Sequence, residues 1–315
     1  MLTHVLERFR DGGVLFDGGL GTMLIARGLQ LGRPPEEWNR EHPEIVRDVH
    51  TSYLQAGADV ITTNTFGATP SRLEGYGLGE RMAEINKAGV TLAEEARSPF
   101  DRGPGAHPAR DSKTPDRSPD PRERFIAFGM GPTGKMLPPV GNAEPERLRN
   151  EFTRQLRSAG SGYDLVIIET MYDLREALIA LDAAKQLTTA PVAVTLTYNK
   201  NPRGFFTIMG DEASRAARAL EEAGADVVGA NCSITSAEMT ELGGILREST
   251  EIPILCQPNA GKPRVKDGVP IYEQPPEDFA RDAVTLFALG VNAVGGCCGT
   301  TPEFIEAART AKLKH

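Results

Sequence analysis

A chain of 315 residues with 40% hydrophobic and 25% charged residues is long enough to bury a large core, and its composition is that of an ordinary globular protein, which excludes wholesale disorder. The formal charge of -8 excludes the basic footprint that nucleic-acid recognition needs, and no run approaches the roughly 18 apolar residues of a membrane span. Four cysteines in this length exclude a disulfide scaffold, and with an N-terminal stretch that lacks a long apolar core they lead to an expected cytoplasmic, reducing location.

Short β-rich runs alternate with segments of helical period, the pattern of parallel strands joined by crossover helices. In chain order the predicted strands are Val14–Asp17, Asp59–Asn64, Phe125–Met130, Leu165–Glu169, Val192–Thr197, Val227–Asn231, Ile254–Gln257 and Ala293–Gly296. Helices are predicted between them, Leu174–Gln186 and Ser214–Ala223 being two examples with apolar residues at helical spacing. The phrases Gln55-Ala56-Gly57-Ala58-Asp59, Glu222-Ala223-Gly224-Ala225-Asp226 and Ala288-Leu289-Gly290-Val291-Asn292 repeat one architecture, a helix end capped by glycine followed by a strand start. About eight such units fit a closed (β/α)8 TIM barrel, one domain over residues 1–315, with its chemistry at the C-terminal ends of the strands. A doubly wound open sheet is the competing architecture, but the first turn, Asp17-Gly18-Gly19-Leu20-Gly21-Thr22, lacks a dinucleotide-type glycine fingerprint. The stretch 98–122 is rich in Pro, Arg and Asp and cannot bury enough apolar surface to offset its ordering entropy, so it is expected to be a flexible surface loop.

A barrel delivers the polar residues at its strand ends to one rim. Here they are Asp17, Asn64-Thr65, Glu169-Thr170, Asn231-Cys232, Gln257-Pro258-Asn259 and Cys297-Cys298. Cys232, Cys297 and Cys298 would then meet at one point, and three thiolates leave a tetrahedral zinc ion one open position, the arrangement of a catalytic site. Buried carboxylates at Asp17 and Glu169 are costly unless they meet a cation, for which a substrate ammonium is one candidate. The Gly18–Thr22 turn can present backbone N–H groups to an anion such as an amino-acid carboxylate. These pieces describe a pocket for a zwitterion whose third functional group reaches the metal. Other chemistries are thinly supplied. None of the five histidines, at positions 4, 42, 50, 107 and 315, falls at a predicted strand end, and there is no nucleophile-elbow serine. Cys256 precedes Gln257 by one residue and is expected to face the core. Two readings of other classes compete: a lyase or aldolase, which would want a Schiff-base lysine such as Lys262, and a non-enzymatic zinc or thiol redox sensor built on Cys297-Cys298.

Taken together these motifs resemble the homocysteine S-methyltransferase family, which includes betaine–homocysteine methyltransferase and the homocysteine-binding module of cobalamin-dependent methionine synthase. The resemblance covers nearly the whole chain and rests on Asp17-Gly18-Gly19-Leu20-Gly21-Thr22, Thr62-Thr63-Asn64-Thr65-Phe66-Gly67-Ala68, Gly131-Pro132-Thr133-Gly134, Glu169-Thr170, Asn231-Cys232-Ser233, Pro258-Asn259-Ala260-Gly261 and Gly295-Gly296-Cys297-Cys298-Gly299-Thr300-Thr301-Pro302. It implies a TIM barrel in which Cys232, Cys297 and Cys298 hold Zn2+. It further implies that Asp17 and Glu169 bind the homocysteine amino group, that the Gly21-Thr22 turn takes the carboxylate, and that Asn64 and Asn231 lie near the pocket. The implied reaction is methyl transfer to the homocysteine thiolate, forming methionine. The Gly131–Gly134 and Pro258–Pro263 stretches look closer to the methionine-synthase module, which implies methylcobalamin or a separate methylated corrinoid protein as donor. S-methylmethionine, betaine or a related onium compound is the alternative donor. Gln257 stands where family members often carry an acidic residue, a departure that bears on the donor and its docking.

Overall fold

Apolar side chains alternate along the strands, and in the computed structural model, which describes residues 4–100, 123–266 and 269–314, the two sets enter two different cores. The eight parallel strands are Val14–Leu15, Val60–Thr62, Phe125–Met130, Leu165–Met171, Val192–Leu196, Val227–Thr235, Ile254–Asn259 and Ala293–Val294, each paired with the next in chain order. The eighth pairs with the first through Val14↔Ala293, and a parallel bridge between Phe16 and Val60 closes the ring. The expected TIM barrel is therefore the observed fold.

Val14, Phe16, Val60, Leu165, Ile167 and Leu255 are among the side chains that fill the barrel interior, and the helix His4–Asp11 plugs its floor with Val5, Leu6 and Phe9. The alternate residues, including Phe128, Val166, Val194, Val228 and Cys256, face outward against the helices. Cys256 is fully buried in that layer, as expected of a core thiol, and burial pushes it up to about 12. Helix ends follow local chemistry. Pro43 opens the helix Pro43–Ala56 and Gly57 closes it at φ 105°, while Thr235 and Glu238 form a reciprocal capping box at the start of Ser236–Ser249. Gly224 and Gly290 take φ of 89° and 87° after their helices, so the three glycine phrases do mark the same helix-to-strand turn.

The strand boundaries differ from expectation at the rim, for a reason that matters to the site. The fourth, sixth and seventh strands run past Glu169, Asn231 and Gln257, because the fourth and sixth carry register shifts there and then resume pairing. The first and eighth stop early, at Leu15 and Val294. The second runs from Val60 to Thr62, and the Asp59 carboxylate just before it accepts from the Leu15 N–H at 2.9 Å and lies 3.6 Å from Arg124. Two hairpins without a sequence signal rise from the rim, Asn199–Asn201 with Gly204–Phe206 after the fifth strand and Arg264–Lys266 with Val269–Ile271 after the seventh. Most of the expected surface loop at 98–122 lies outside the described residues, as do His107 and His315. Among the described residues no helix is long and apolar enough to cross a membrane.

Gly229 sits in the middle of the sixth strand, in register with Thr195 and Leu255, where a Cβ would overlap the Leu255 carbonyl oxygen. Gly229→Ala is expected to destabilise the barrel by the about 1–3 kcal/mol typical of overpacking. Thermal unfolding followed by circular dichroism checks this, and an unshifted midpoint would show that the strand can yield.

Candidate metal centre and substrate pocket

Two irregular strands and one tightly bonded turn build the site. At Asn231–Ser233 the sixth strand leaves its ladder with Cys232 at φ 64° and Ser233 at φ 60°, a left-handed conformation that L side chains rarely adopt. This turns the Cys232 thiol into the mouth of the barrel. The fourth strand does the same at Thr170, φ 59°, immediately after Glu169.

The third piece follows the eighth strand. Gly295 passes so close to the first strand that a Cβ would lie 2.9 Å from the Asp17 carbonyl oxygen, which is why glycine is required there. Every backbone N–H from Gly295 to Thr300 has a protein acceptor. They are, in order, the carbonyls of Cys256 at 3.0 Å, Asp17 at 2.8 Å and Pro258 at 2.9 Å, then Asn259 Oδ1 at 3.1 Å, Thr22 Oγ1 at 2.9 Å and the Cys297 carbonyl at 3.2 Å. The Cys297-Cys298 turn is thus fixed before any ligand arrives.

The sulfur atoms of Cys232, Cys297 and Cys298 lie within 4.8 Å of one another, and none of the three is in a disulfide. Cys232 Sγ and Cys298 Sγ are 3.9 Å apart. A tetrahedral zinc ion with sulfurs at about 2.3 Å sets neighbouring sulfurs about 3.8 Å apart, so the donor set fits such an ion by both chemistry and spacing. The Cys232 and Cys297 thiols donate to Cys298 and hold it far below the usual thiol range, at about 3, while the bonds to Cys232 and Cys298 and burial push Cys297 well up. One thiolate is easy to form in this cluster; the further ones await a cation.

Beside the sulfurs lies a cavity of about 540 Å3. Asp17, Glu169, Asn64, Gly21, Thr22 and all three cysteines line it. Asp17 accepts from the Thr62 N–H at 2.7 Å and the Thr62 hydroxyl at 3.2 Å, yet burial still raises it to about 7. Glu169 is raised to about 8 by burial and by the charges of Asp17 and Cys232. Among the described residues neither carboxylate has an ion-pair partner, which leaves a strong local demand for a cation. Asn64 donates to the Pro35 carbonyl and to Asn39 Oδ1, both at 2.8 Å, and so ties the first two loops together at the cavity wall. Thr22 is tied to Gly299 through its hydroxyl. Asn231 is buried behind the wall, not in it. Lys262, the residue a Schiff-base reading would use, is exposed and paired with Glu238 at 2.9 Å.

The sequence profile of the homocysteine S-methyltransferase family matches residues 14–312. The chain belongs to the homocysteine S-methyltransferase family. Two curated relatives, the methionine synthases of Mycobacterium leprae and Mycobacterium tuberculosis, are 30% and 31% identical over 98% and 99% of this chain. The chain spans only about a quarter of their length, 25% and 26%. The metallated form of the homocysteine methyltransferase MmuM from Escherichia coli superposes with a TM-score of 0.74 at 22% identity, covering 94% of this chain and 95% of that one, a likeness of fold.

Several residues of the candidate site escaped the strand-end reading. Glu36 and Arg72, on the short helices Pro35–Glu37 and Pro70–Glu74, and Tyr76 just after the second of these line the cavity, where no strand-end pattern flags them. Thr62 and Thr300 act through hydrogen bonds that only the closed barrel brings about, while Asn259, expected at the rim, accepts from the Cys298 N–H. Tyr272 directly follows the unforeseen second hairpin and packs against Gly299.

Two predictions follow from this geometry. Cys298→Ala is expected to abolish retention of metal after desalting while circular dichroism remains that of a folded barrel; a variant that keeps stoichiometric metal would show that Cys232 and Cys297 suffice. The second concerns pH. With values of about 7 and about 8, Asp17 and Glu169 bind protons in the folded state that the unfolded chain releases near pH 4. Stability of the metal-free protein therefore falls as pH rises from about 4 to about 8. Glu169→Gln is expected to flatten that fall and to raise the thermal midpoint above wild type at about pH 8, while weakening homocysteine binding. Identical midpoint profiles would contradict the assignment of a raised Glu169.

Proposed function

We propose that this chain is a zinc-dependent methyltransferase domain that transfers a methyl group to the sulfur of homocysteine, forming methionine. The observation that carries the proposal is the meeting, around one cavity, of three thiols within 4.8 Å of one another, the buried Asp17 carboxyl and the half-buried Glu169 carboxyl, neither carboxyl having an ion-pair partner among the described residues. Homocysteine supplies the complement of each part: a thiol for the metal, an ammonium for the carboxylates and a carboxylate for the glycine turn.

A free thiol has a pKa of about 8.5 and is mostly protonated at neutral pH. Zinc, when bound by Cys232, Cys297 and Cys298, would supply the Lewis acidity that keeps a fourth sulfur ionised. The remaining work falls to the chain. Asp17 and Glu169 would grip the ammonium group, and the match of charge would return both carboxyls to the ionised state. The backbone N–H groups of Leu20, Gly21 and Thr22 begin a helix, have no intrahelical acceptor and line the cavity, so they are the proposed carboxylate site. Asn64 would hold the loop that carries Pro35 and Glu36 against the cavity. No side chain is asked to act as a general base. The thiol chemistry requires a reducing compartment, in keeping with the cytoplasm.

For the methyl donor we infer a methylated corrinoid, free or carried on a protein, supported by the likeness of the Gly131–Gly134 and Pro258–Pro263 stretches to the methionine-synthase module. An onium donor is the second reading, favoured by the Phe66 ring beside the cavity, which already faces one cation, the Arg72 guanidinium 5.4 Å from its centroid. The redox-sensor reading leaves the cavity and its two carboxylates without a role.

The test is zinc content of the reduced protein together with methionine formation from homocysteine, using methylcobalamin, a methylated corrinoid protein, methyltetrahydrofolate, S-methylmethionine and betaine in parallel. The expected outcome is about one zinc per chain and turnover on a corrinoid donor, lost on chelation and restored by zinc. Turnover on an onium compound alone would select the second donor, and turnover that survives full removal of zinc would overturn the mechanism.

A further inference from the structure

Asn231 lies immediately before Cys232, is 1% exposed and makes no part of the cavity wall. All of its side-chain hydrogen-bonding positions are nevertheless used. Its Oδ1 accepts from the Thr170 N–H at 2.7 Å and from the Thr195 hydroxyl at 2.8 Å, and its Nδ2 donates to Thr170 Oγ1 at 2.7 Å and to Cys297 Sγ at 3.8 Å. One carboxamide thus joins three pieces that arrive from different strands: the irregular turn after Glu169, the fifth strand, and the cysteine of the eighth-strand turn. Thr170 is β-branched and held at φ 59°, a strained conformation for an L side chain that persists only when its surroundings impose it. The two bonds from Asn231 to Thr170 are that imposition.

We propose that Asn231 is a positioning residue of the metal centre, whose carboxamide clamps the irregular turns of the fourth and sixth strands together and donates an N–H to the Cys297 sulfur. The inference rests on the zinc reading above and adds a role for a residue that touches neither substrate nor metal. The clamp aims Glu169 into the cavity, because its neighbour Thr170 is fixed at both backbone and side chain. The N–H bond to sulfur fixes the direction of the Cys297 lone pairs and withdraws charge from a ligand that must share a dication with two others. Outer-shell donors of this kind are worth about 10–100-fold in metal affinity.

The test compares wild type with Asn231→Ala and Asn231→Asp. Zinc affinity is measured by competition with a chromophoric chelator, and the cobalt(II)-substituted proteins are examined for the thiolate-to-metal charge-transfer band, with circular dichroism as the control for folding. The expected result is zinc binding weaker by about 10–100-fold in both variants and a displaced charge-transfer band. Loss of a purely structural bond would lower the thermal midpoint but leave that band in place. If Asn231→Ala does not fold, Asn231→Asp decides, since it keeps the shape and the acceptor facing Thr170 and Thr195 while replacing the N–H that faces Cys297 with oxygen. Wild-type affinity and an unshifted band in a folded variant would overturn this inference alone. A wild-type protein that binds no zinc in the same titration would overturn the zinc reading and this inference with it.

Discussion

Repulsion among like charges is the constraint on which the site depends. Two unit charges 4 Å apart repel by about 4 kcal/mol at an effective dielectric of 20, and this wall gathers three thiols and two carboxyls in a buried setting. No cationic side chain among the described residues is paired with either carboxyl. The folded chain answers the repulsion by holding protons, on Asp17 and Glu169 and on the cysteines other than Cys298. A dication and an ammonium answer it in another way, by replacing those protons. The protein alone is therefore under electrostatic strain that cations would relieve, and a ligand carrying both a thiol and an ammonium, as proposed above, would match the two acidic clusters.

Holding such a wall in place requires a scaffold that does not relax. The parallel barrel supplies it by placing the ends of eight strands around one opening, but regular strands alone would not aim the side chains. The aim comes from departures from regularity: left-handed residues at Thr170, Cys232 and Ser233, close glycine contacts at Gly295, and a turn from Gly295 to Thr300 in which every N–H is bonded. Backbone strain of this kind is stable only where neighbours over-determine it. Here the neighbours are other rim residues, Asn231, Asn259 and Thr22 among them, so the positions of the cysteines and of the cavity carboxylates are mutually dependent.

Much of this was legible before the structure. The barrel could be read from eight repeats of strand and helix, and the Gly57, Gly224 and Gly290 phrases marked real turns. The cysteines, Asp17 and Glu169 were legible because chemistry at strand ends is a rule of the fold, and the structure brings all five to one cavity. What the sequence hid depends on contacts between segments distant in the chain. The extension of the fourth and sixth strands past their bulges is invisible to period-two alternation, since a bulge breaks the period that would reveal it. Glu36 and Arg72 stand on helices too short to show a period, and the role of Thr22 toward Gly299 spans 277 residues of sequence. The two rim hairpins are too short for their composition to outweigh that of the loops around them.

The central claim is that three cysteine sulfurs hold an ion whose remaining position takes the substrate sulfur. X-ray absorption at the zinc edge of the loaded protein, with and without homocysteine, tests it directly. The account predicts three sulfur neighbours at about 2.3 Å and one lighter atom in the free protein, becoming four sulfurs when homocysteine is added. A sulfur count that stays at three with homocysteine bound, or that already stands at four without it, would contradict the account.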